Sequence, residues 1–505
     1  MKRSKVITQV LIFIGILIVV NMISEQMFLR LDFTADKRYT LSTATKDILE
    51  DLDDVITVTA YFTENMPPQL QKSRKDFEDL LIEYENRSDG NVVYEFINPN
   101  ENEAEEQKAQ QKGISPVMVN VTEKDQVKQL RAYLGAVLQM GEKTEIIPMI
   151  QPGSGMEYSL TTSIKKISVM DKPKVAFLQG HGEPSPNASV QVLQQLAVLY
   201  DVEPLTITDT ADIPTYIKTI AIVNPTDTFP QSDFAKLDKY LSTGGSIYLA
   251  YSNLQTDLQS QYLSTLPDIG IMGWLADKGI TMNNQYVIDA NCGAVSVRQQ
   301  NGMFIMNRQI EFPYFPILSK FSEHPAAKGL EGVIMPFVSS LSFLPKDSAV
   351  NIQPLVFSSE NSGVVNTPVY IDIQKQWSES DFNAPSQVVA IAAEGPLAGT
   401  SNSKMVVIAN GAFAVNGEGQ QQQQVNQDNV NLASNAIDWL SDDTGLIDLR
   451  TKGITSRPLE QIDDTKRNLY KYGNVVLPIF LMIGIALYRR QRFARKRQSW
   501  IQGNY

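Results

Sequence analysis

The residues best equipped for chemistry lie in one short run, Gly180-His181-Gly182-Glu183. An imidazole two residues from a carboxylate can serve as a general base with an orienting acid. The same four residues also read as a tight glycine turn whose histidine packs locally. The run is not a phosphate cradle, because neither G-x-G-x-x-G nor G-x-x-x-x-G-K-[ST] occurs there. His324, in EHPAAKGL, reads as a loop residue held by Pro325. Cys292, in DANCGAV, has no base that the sequence assigns to it, and a thiol nucleophile needs one in reach. No G-x-S-x-G elbow is present. Asp209, Asp212 and Asp227 fall in loops around strands; they could bind a cation, but scattered loop carboxylates are usually solvated. The reading therefore assigns no catalytic residue, no cofactor-binding residue and no metal ligand. It takes Gly180, His181, Gly182 and Glu183 as a ligand or partner loop. The competing reading is a hydrolase that uses His181 and Glu183.

Composition removes whole classes of chemistry. The chain has 505 residues, one cysteine and two histidines. That inventory excludes a Cys-x-x-Cys redox pair, a disulfide scaffold within one chain, and a zinc site of four cysteines or of two cysteines and two histidines. Hydrophobic residues make up 43% and charged residues 20%, a globular balance. The net charge of −12 argues against a nucleic-acid partner, which would call for a basic field.

Two apolar segments set the expected topology. Val6 to Ile23 is an 18-residue run without charge, about 27 Å as a helix and close to the bilayer core. Val475 to Leu487 is a 13-residue apolar core, extended to 20 residues by counting from Leu469 to Tyr488. Lys2, Arg3 and Lys5 precede the first segment; Arg489, Arg490, Arg492, Arg495, Lys496 and Arg497 follow the second. The positive-inside rule then predicts a two-pass inner-membrane protein with both termini cytoplasmic and residues 24–468 in the periplasm. The basic tail would also meet anionic membrane lipid. The body between the segments holds 35 of the 44 basic residues and all 56 acidic ones, a net of −21.

The body reads as two α/β units between those helices. In residues 24–170, Ser42 is a plausible N-cap for a helix carrying Ile48, Leu49 and Leu52. Ile56 to Phe62 alternates as a strand. Phe77, Leu80, Leu81 and Tyr84 mark an amphipathic helix, and Val92 to Asn98 is a second strand. A Glu/Gln-rich helix, a strand within Gly113–Val121 and another in YLGAVLQM follow. This strand–helix–strand–helix–strand–strand order resembles the thioredoxin fold, with Ser115-Pro116 where that fold carries its cis-proline. The loop after the first strand has no cysteine, so the unit is thioredoxin-like without redox chemistry. In residues 171–445, Lys174–Gln179, VEPLTI, Thr219–Pro225 and Ser246–Ser252 alternate with helices Val190–Leu199 and Gln231–Leu241. That pattern predicts a doubly wound parallel sheet. VVAIAAEG and KMVVIANGAF read as further buried strands and Leu432–Leu440 as the last helix. Residues 446–468 form a return linker, 469–488 the second membrane helix and 489–505 the basic tail.

The segments LDFTADKRYTLSTATKDILEDLDDVITVTAYF (31–62), KVAFLQGHGEPS (174–185) and NLASNAIDWLSDDTGLIDLRTKGITSRPL (431–459) resemble the auxiliary subunits of ABC transporters associated with gliding motility (GldG-like). The resemblance implies a non-catalytic, substrate-binding or partner-binding subunit that assembles with an ABC permease (GldF-like) and a cytoplasmic ATPase subunit (GldA-like). It also implies that the second unit is glutamine-amidotransferase-like without the catalytic cysteine. In agreement, no cysteine follows the Thr219–Pro225 strand. No Walker motif occurs, so ATP hydrolysis would belong to another chain.

Overall fold

The computed structural model describes residues 40–64, 66–123, 126–150, 155–168, 172–208, 210–257, 260–301, 304–373 and 375–442, with 471, 473–474, 480 and 482–493 near the C-terminus. The chain divides into two compact units, Met1–Ile454 and Thr455–Tyr505.

The first unit opens with α1 (Thr43–Glu50), whose N-cap hydroxyl on Ser42 accepts a hydrogen bond from the Thr45 N–H. Next come β1 (Ile56–Phe62), α2 (Pro68–Arg87), β2 (Val92–Ile97), α3 (Glu103–Gln111), β3 (Val117–Glu123), β4 (Gln126–Ala132), β5 (Leu134–Met140), β6 (Lys143–Ile147) and α4 (Gly155–Ser168). The sheet order is β2-β1-β5-β6. β1 runs parallel to β2 and antiparallel to β5. Phe77, Leu81 and Tyr84 lie on one face of α2 and are fully buried against this sheet, together with Leu160 and Ile164 of α4. The Glu157 carboxylate of α4 accepts from the Ser42 N–H at 2.7 Å and the Thr45 hydroxyl at 2.9 Å, so α1 is tied to α4.

Two expectations fail in this region. The strand expected within Gly113–Val121 does not enter the sheet. β3 pairs with β4 in a separate hairpin, from Val117↔Ala132 to Glu123↔Gln126. β5 takes the place beside β1 because its first five residues are apolar or glycine and all are buried. Ser115-Pro116 is not cis; the cis bond among the described residues is Thr367-Pro368.

The chain then builds an eight-stranded sheet. Its elements are β7 (Lys174–Gln179), α5 (Val190–Leu196), β8 (Asp201–Thr206), β9 (Ile217–Val223), α6 (Gln231–Ser242) and β10 (Ser246–Ala250). A largely β insertion follows: β11 (Leu254–Asp257), β12 (Tyr262–Thr265), α7 (Ile271–Asp277), β13 (Ile280–Asp289), β14 (Cys292–Asn301), β15 (Phe304–Leu318), β16 (Lys320–Phe321), β17 (Val333–Ile334), β18 (Ser339–Phe343), β19 (Asn351–Phe357), β20 (Ser362–Asn366) and β21 (Val369–Tyr370). The unit closes with β22 (Val388–Gly395), β23 (Ser403–Ile408) and α8 (Gln427–Ser441).

The large sheet runs β16-β19-β22-β23-β10-β9-β7-β8. β8, β7, β9, β10 and β23 are mutually parallel, whereas β22, β19 and β16 join antiparallel. Val175, Ile220, Ile222, Ile247, Leu249, Val406 and Val407 are at most 1% exposed, as expected of strands covered on both faces. From β7 the chain first steps out to β8, then returns to the other side of β7 to place β9. Right-handed crossovers in opposite directions put α5 and α6 on opposite faces. They also create a switch point between the C-terminal ends of β7 and β9, where open α/β sheets form their crevice. The insertion forms three small sheets around their own core of Leu263, Tyr286, Ile288, Phe312 and Tyr314.

The expected membrane placement is overturned. Among the described residues no helix is long and apolar enough to cross a membrane. Val6–Ile23 and most of the apolar stretch before residue 482 lie outside the described residues. The expected two-pass, inner-membrane placement with a periplasmic body is corrected on that finding.

Burial decides the cost of losing the same atoms at two leucines. Leu249, at the centre of β10, is 0% exposed and Leu344 is 79% exposed. Leu249→Ala should cost about 2–5 kcal/mol through lost burial and a residual cavity. Leu344→Ala should stay within about 0.5 kcal/mol. Urea unfolding of the two variants checks the contrast.

Candidate functional site

The loop Gly180–Glu183 leaves β7 at the switch point. Gly180 and Gly182 have positive φ, +116° and +76°. A Cβ on Gly182 would lie 2.0 Å from the Thr226 hydroxyl oxygen, so only glycine fits against the loop that follows β9. That loop is sewn to the first one: the Thr226 and Asp227 N–H groups both donate to the His181 carbonyl at 2.9 Å. The Glu183 carboxylate folds back to accept from the His181 N–H at 2.7 Å.

The His181 ring then turns inward and is 6% exposed. Nε2 stands 3.0 Å from Asp233 Oδ2, and Nδ1 is 3.4 Å from Glu183 Oε1. The first contact is a hydrogen bond. The second is an ion-pair distance without hydrogen-bond alignment, and both of its atoms are buried. Burial disfavours the imidazolium, but the close Glu183 carboxylate and the hydrogen-bonded Asp233 outweigh it and raise the His181 pKa above its ordinary value. The ring also stacks on Phe229 with centroids 3.8 Å apart and planes within 6°. A cationic imidazole over an aromatic face gains a further attraction. The stack continues from Phe229 to Phe234 at 5.3 Å and to Trp274 at 5.6 Å, and Lys278 lies over the Trp274 ring at 4.5 Å. Asp238 closes the column, accepting from Trp274 Nε1 and from Lys278 Nζ.

This geometry gives the hydrolase reading no free base. Both ring nitrogens face carboxylates rather than a crevice, and those carboxylates favour the protonated ring. The switch point is also packed shut from a third side. A Cβ on Gly411, after β23, would fall 2.2 Å from Asn224 Oδ1 in the loop after β9. The cavity beneath, lined by Phe177, Val223, Tyr248 and Phe413, holds about 10 Å³, against roughly 300–1,000 Å³ for small-molecule pockets.

The other sequence candidates do not converge here. His324 packs edge-on to Trp439 at 4.6 Å, and its Nδ1 accepts from the Ala326 N–H. Burial, with Lys404 nearby, pushes its pKa down to about 4. Cys292 lies at the base of the β14–β15 ribbon, where burial raises its pKa and Glu311 adds to the effect, so thiolate chemistry is disfavoured. Asp212 pairs with Lys239 at 2.6 Å on the surface. Asp227 acts through its N–H, and Asp209 lies outside the described residues. Among the described residues no cluster of His, Cys, Asp and Glu has the geometry to hold a metal ion.

Asp233, Phe229, Trp274 and Lys278 were absent from the sequence reading. A topological signal existed for Asp233. It sits in the first turn of α6, and in a switched α/β sheet the helix after β9 starts beside the loop after β7.

A family model described as an ABC-type uncharacterized transport system matches residues 172–442, more than half of the chain. The chain belongs to this family. It is an auxiliary protein of an ABC transport system, and the matched region contains the whole eight-stranded sheet and the His181 column. A second model, of a domain of unknown function, matches residues 35–139. An uncharacterized protein of Borreliella burgdorferi is 21% identical over 501 residues, covering 93% of this chain and 94% of that one. Among solved structures, the mmIFT52 N-terminal domain is 13% identical with a TM-score of 0.34, covering 53% of this chain and 97% of its own. A ThuA-like protein from Parabacteroides merdae is 12% identical with a TM-score of 0.28, covering 58% and 95%. Likenesses this weak bear on neither fold nor function.

The two histidines should give stability slopes of opposite sign. The raised folded pKa of His181 means that its contribution is complete below about 6.5, the unfolded value, and is lost as pH rises through the folded pKa. His324 has a folded pKa of about 4, so its stabilising neutral form is lost as pH falls from about 6.5 towards that value. Melting temperature measured across pH 4–9 in wild type, His181→Gln and His324→Gln should lose the high-pH decline in the first variant and part of the low-pH decline in the second. An unchanged profile in His181→Gln contradicts the buried ion-pair assignment.

Proposed function

We propose that this chain is the non-catalytic auxiliary subunit of an ABC transporter of the gliding-motility (GldG-like) type. Its α/β domains would bind partner or ligand, while a permease subunit and a cytoplasmic ATPase subunit supply the pore and the ATP hydrolysis. One observation carries the non-catalytic part: the imidazole best placed for chemistry is held between Asp233 and Glu183, in a crevice closed by its own loops. The lack of a Walker motif supports the same division of labour.

The strand order β2-β1-β5-β6, with β1 parallel to β2 and antiparallel to β5, supports a thioredoxin-like reading of the first unit. The five parallel strands and the switch beside β7 support a doubly wound, amidotransferase-like reading of the second. We assign the rim of the closed switch point as the partner surface. There Gly180, Gly182, Thr226, Asp227 and Thr228 are exposed on a rigid base, and rigid, well-satisfied loops suit a docking surface.

Affinity purification of the tagged full chain from its native cells should recover a permease and an ATPase chain. Thr228→Arg, which puts a bulky charge on the exposed rim, should lower that recovery about tenfold or more without changing the melting temperature. Recovery of the chain alone from wild-type cells contradicts the subunit assignment. Full recovery by Thr228→Arg contradicts the assignment of the rim.

A further inference from the structure

Two buried atoms of the Gly180–Glu183 loop face each other without a hydrogen bond. His181 Nδ1 and Glu183 Oε1 stand 3.4 Å apart, with the two side chains 7% and 1% exposed. Neither atom has a hydrogen-bond partner. The other polar atoms of these side chains are engaged. His181 Nε2 lies 3.0 Å from Asp233 Oδ2 at the start of α6, and Glu183 Oε2 accepts from the His181 N–H at 2.7 Å.

The close pair depends on one proton. An imidazolium carries an N–H on both ring nitrogens, a neutral imidazole on one. With both present, Nδ1 offers Glu183 a positive N–H at short range. After loss of a proton, the hydrogen-bonded Asp233 keeps the remaining N–H on Nε2. Nδ1 then turns a lone pair towards a carboxylate oxygen. Two acceptors meeting in a buried site are expensive to keep. The titratable groups that face the ring are both acids, Glu183 from its own loop and Asp233 from α6. The loop after β9 presents the Phe229 face, and Asp227 of that loop accepts from the Thr226 hydroxyl. Lys278 and Asp238 pair with each other at the far end of the aromatic column.

We propose that Glu183 is a pH-operated latch on the rim of the switch point: it is closed while the His181 ring carries both N–H protons, and it swings outward when the ring becomes neutral. The His181 carbonyl keeps its donors from Thr226 and Asp227, so the base of the loop stays in place. The movement is confined to Glu183 and the residues after it, where the Ser185 N–H donates to Glu418 on the exposed side. The released carboxylate joins Asp227 on the rim and makes that surface more acidic. Burial disfavours charge on the ring, but the two carboxylates outweigh it and raise its pKa. The latch is therefore closed below about 6.5, the ordinary value, and opens as pH rises through the folded one. It rests on this geometry and not on the partner assigned to the rim.

Hydrogen–deuterium exchange of the full chain, corrected for the intrinsic pH dependence of exchange, reads the latch at the His181 N–H. Its protection should fall about tenfold or more, the scale of one hydrogen bond to a charged group, across the pH range in which NMR shows the His181 ring titrating. The amides of β10 should keep their protection, which separates local release from unfolding. Glu183→Gln should abolish the step, because its carbonyl still accepts from the His181 N–H and its amide donates to the neutral Nδ1. Constant protection of the wild-type His181 N–H through the ring titration overturns the proposal. So does a parallel loss of protection in β10, or a step retained in folded Glu183→Gln. The measurement uses no partner, so its outcome is independent of the subunit assignment.

Discussion

A histidine held between two buried carboxylates is the interaction on which the C-terminal end of the parallel strands depends. His181 joins the loop after β7, through Glu183, to the start of α6, through Asp233. Each carboxylate alone would be expensive to bury, and the imidazolium offsets both. Removing the ring would leave two uncompensated acids in a nearly dry site, a change of the kind that costs about 3–5 kcal/mol. The loop glycines follow from this constraint. Gly182 must let the backbone approach Thr226 closely enough for the His181 carbonyl to collect two N–H donors.

From the histidine, order passes into the body of the fold by stacking. Phe229, Phe234, Trp274 and Lys278 continue the column from the switch point to α7, at the entrance of the β insertion. Asp238 satisfies both polar atoms at the far end. A cation is thus buried at each end of an aromatic stack, each with carboxylate partners. The result is a stiff edge where related architectures keep an open crevice. Turnover would require a base with a nitrogen turned towards substrate, and both His181 nitrogens face carboxylates.

Much of the parallel sheet was legible from residue pattern. Lys174–Gln179 and Thr219–Pro225 are short, largely apolar runs bounded by turn residues, and their length and flanks fit strands buried on both faces. The GHGE run was legible as a strand-end loop, but its chemistry was not. Asp233 lies 52 positions beyond His181, and no local spacing rule joins them; only the crossover that returns past β7 does. The β3–β4 hairpin was missed because Gln126–Ala132 is polar and reads as loop until Val117–Glu123 supplies its ladder partner. The insertion from β11 to β21 resisted reading for the same reason, since its strands find partners far along the chain. β12 pairs with β21 and β13 with β20, and no periodicity reports such distances.

The central claim is that His181 is a buried structural residue, held by carboxylates that raise its pKa, rather than a base. The chain has two histidines, so one His324→Gln spectrum assigns both ring signals in an NMR titration. A His181 ring that releases its proton above the ordinary value near 6.5 is the predicted result. A ring that titrates at or below that value contradicts the account.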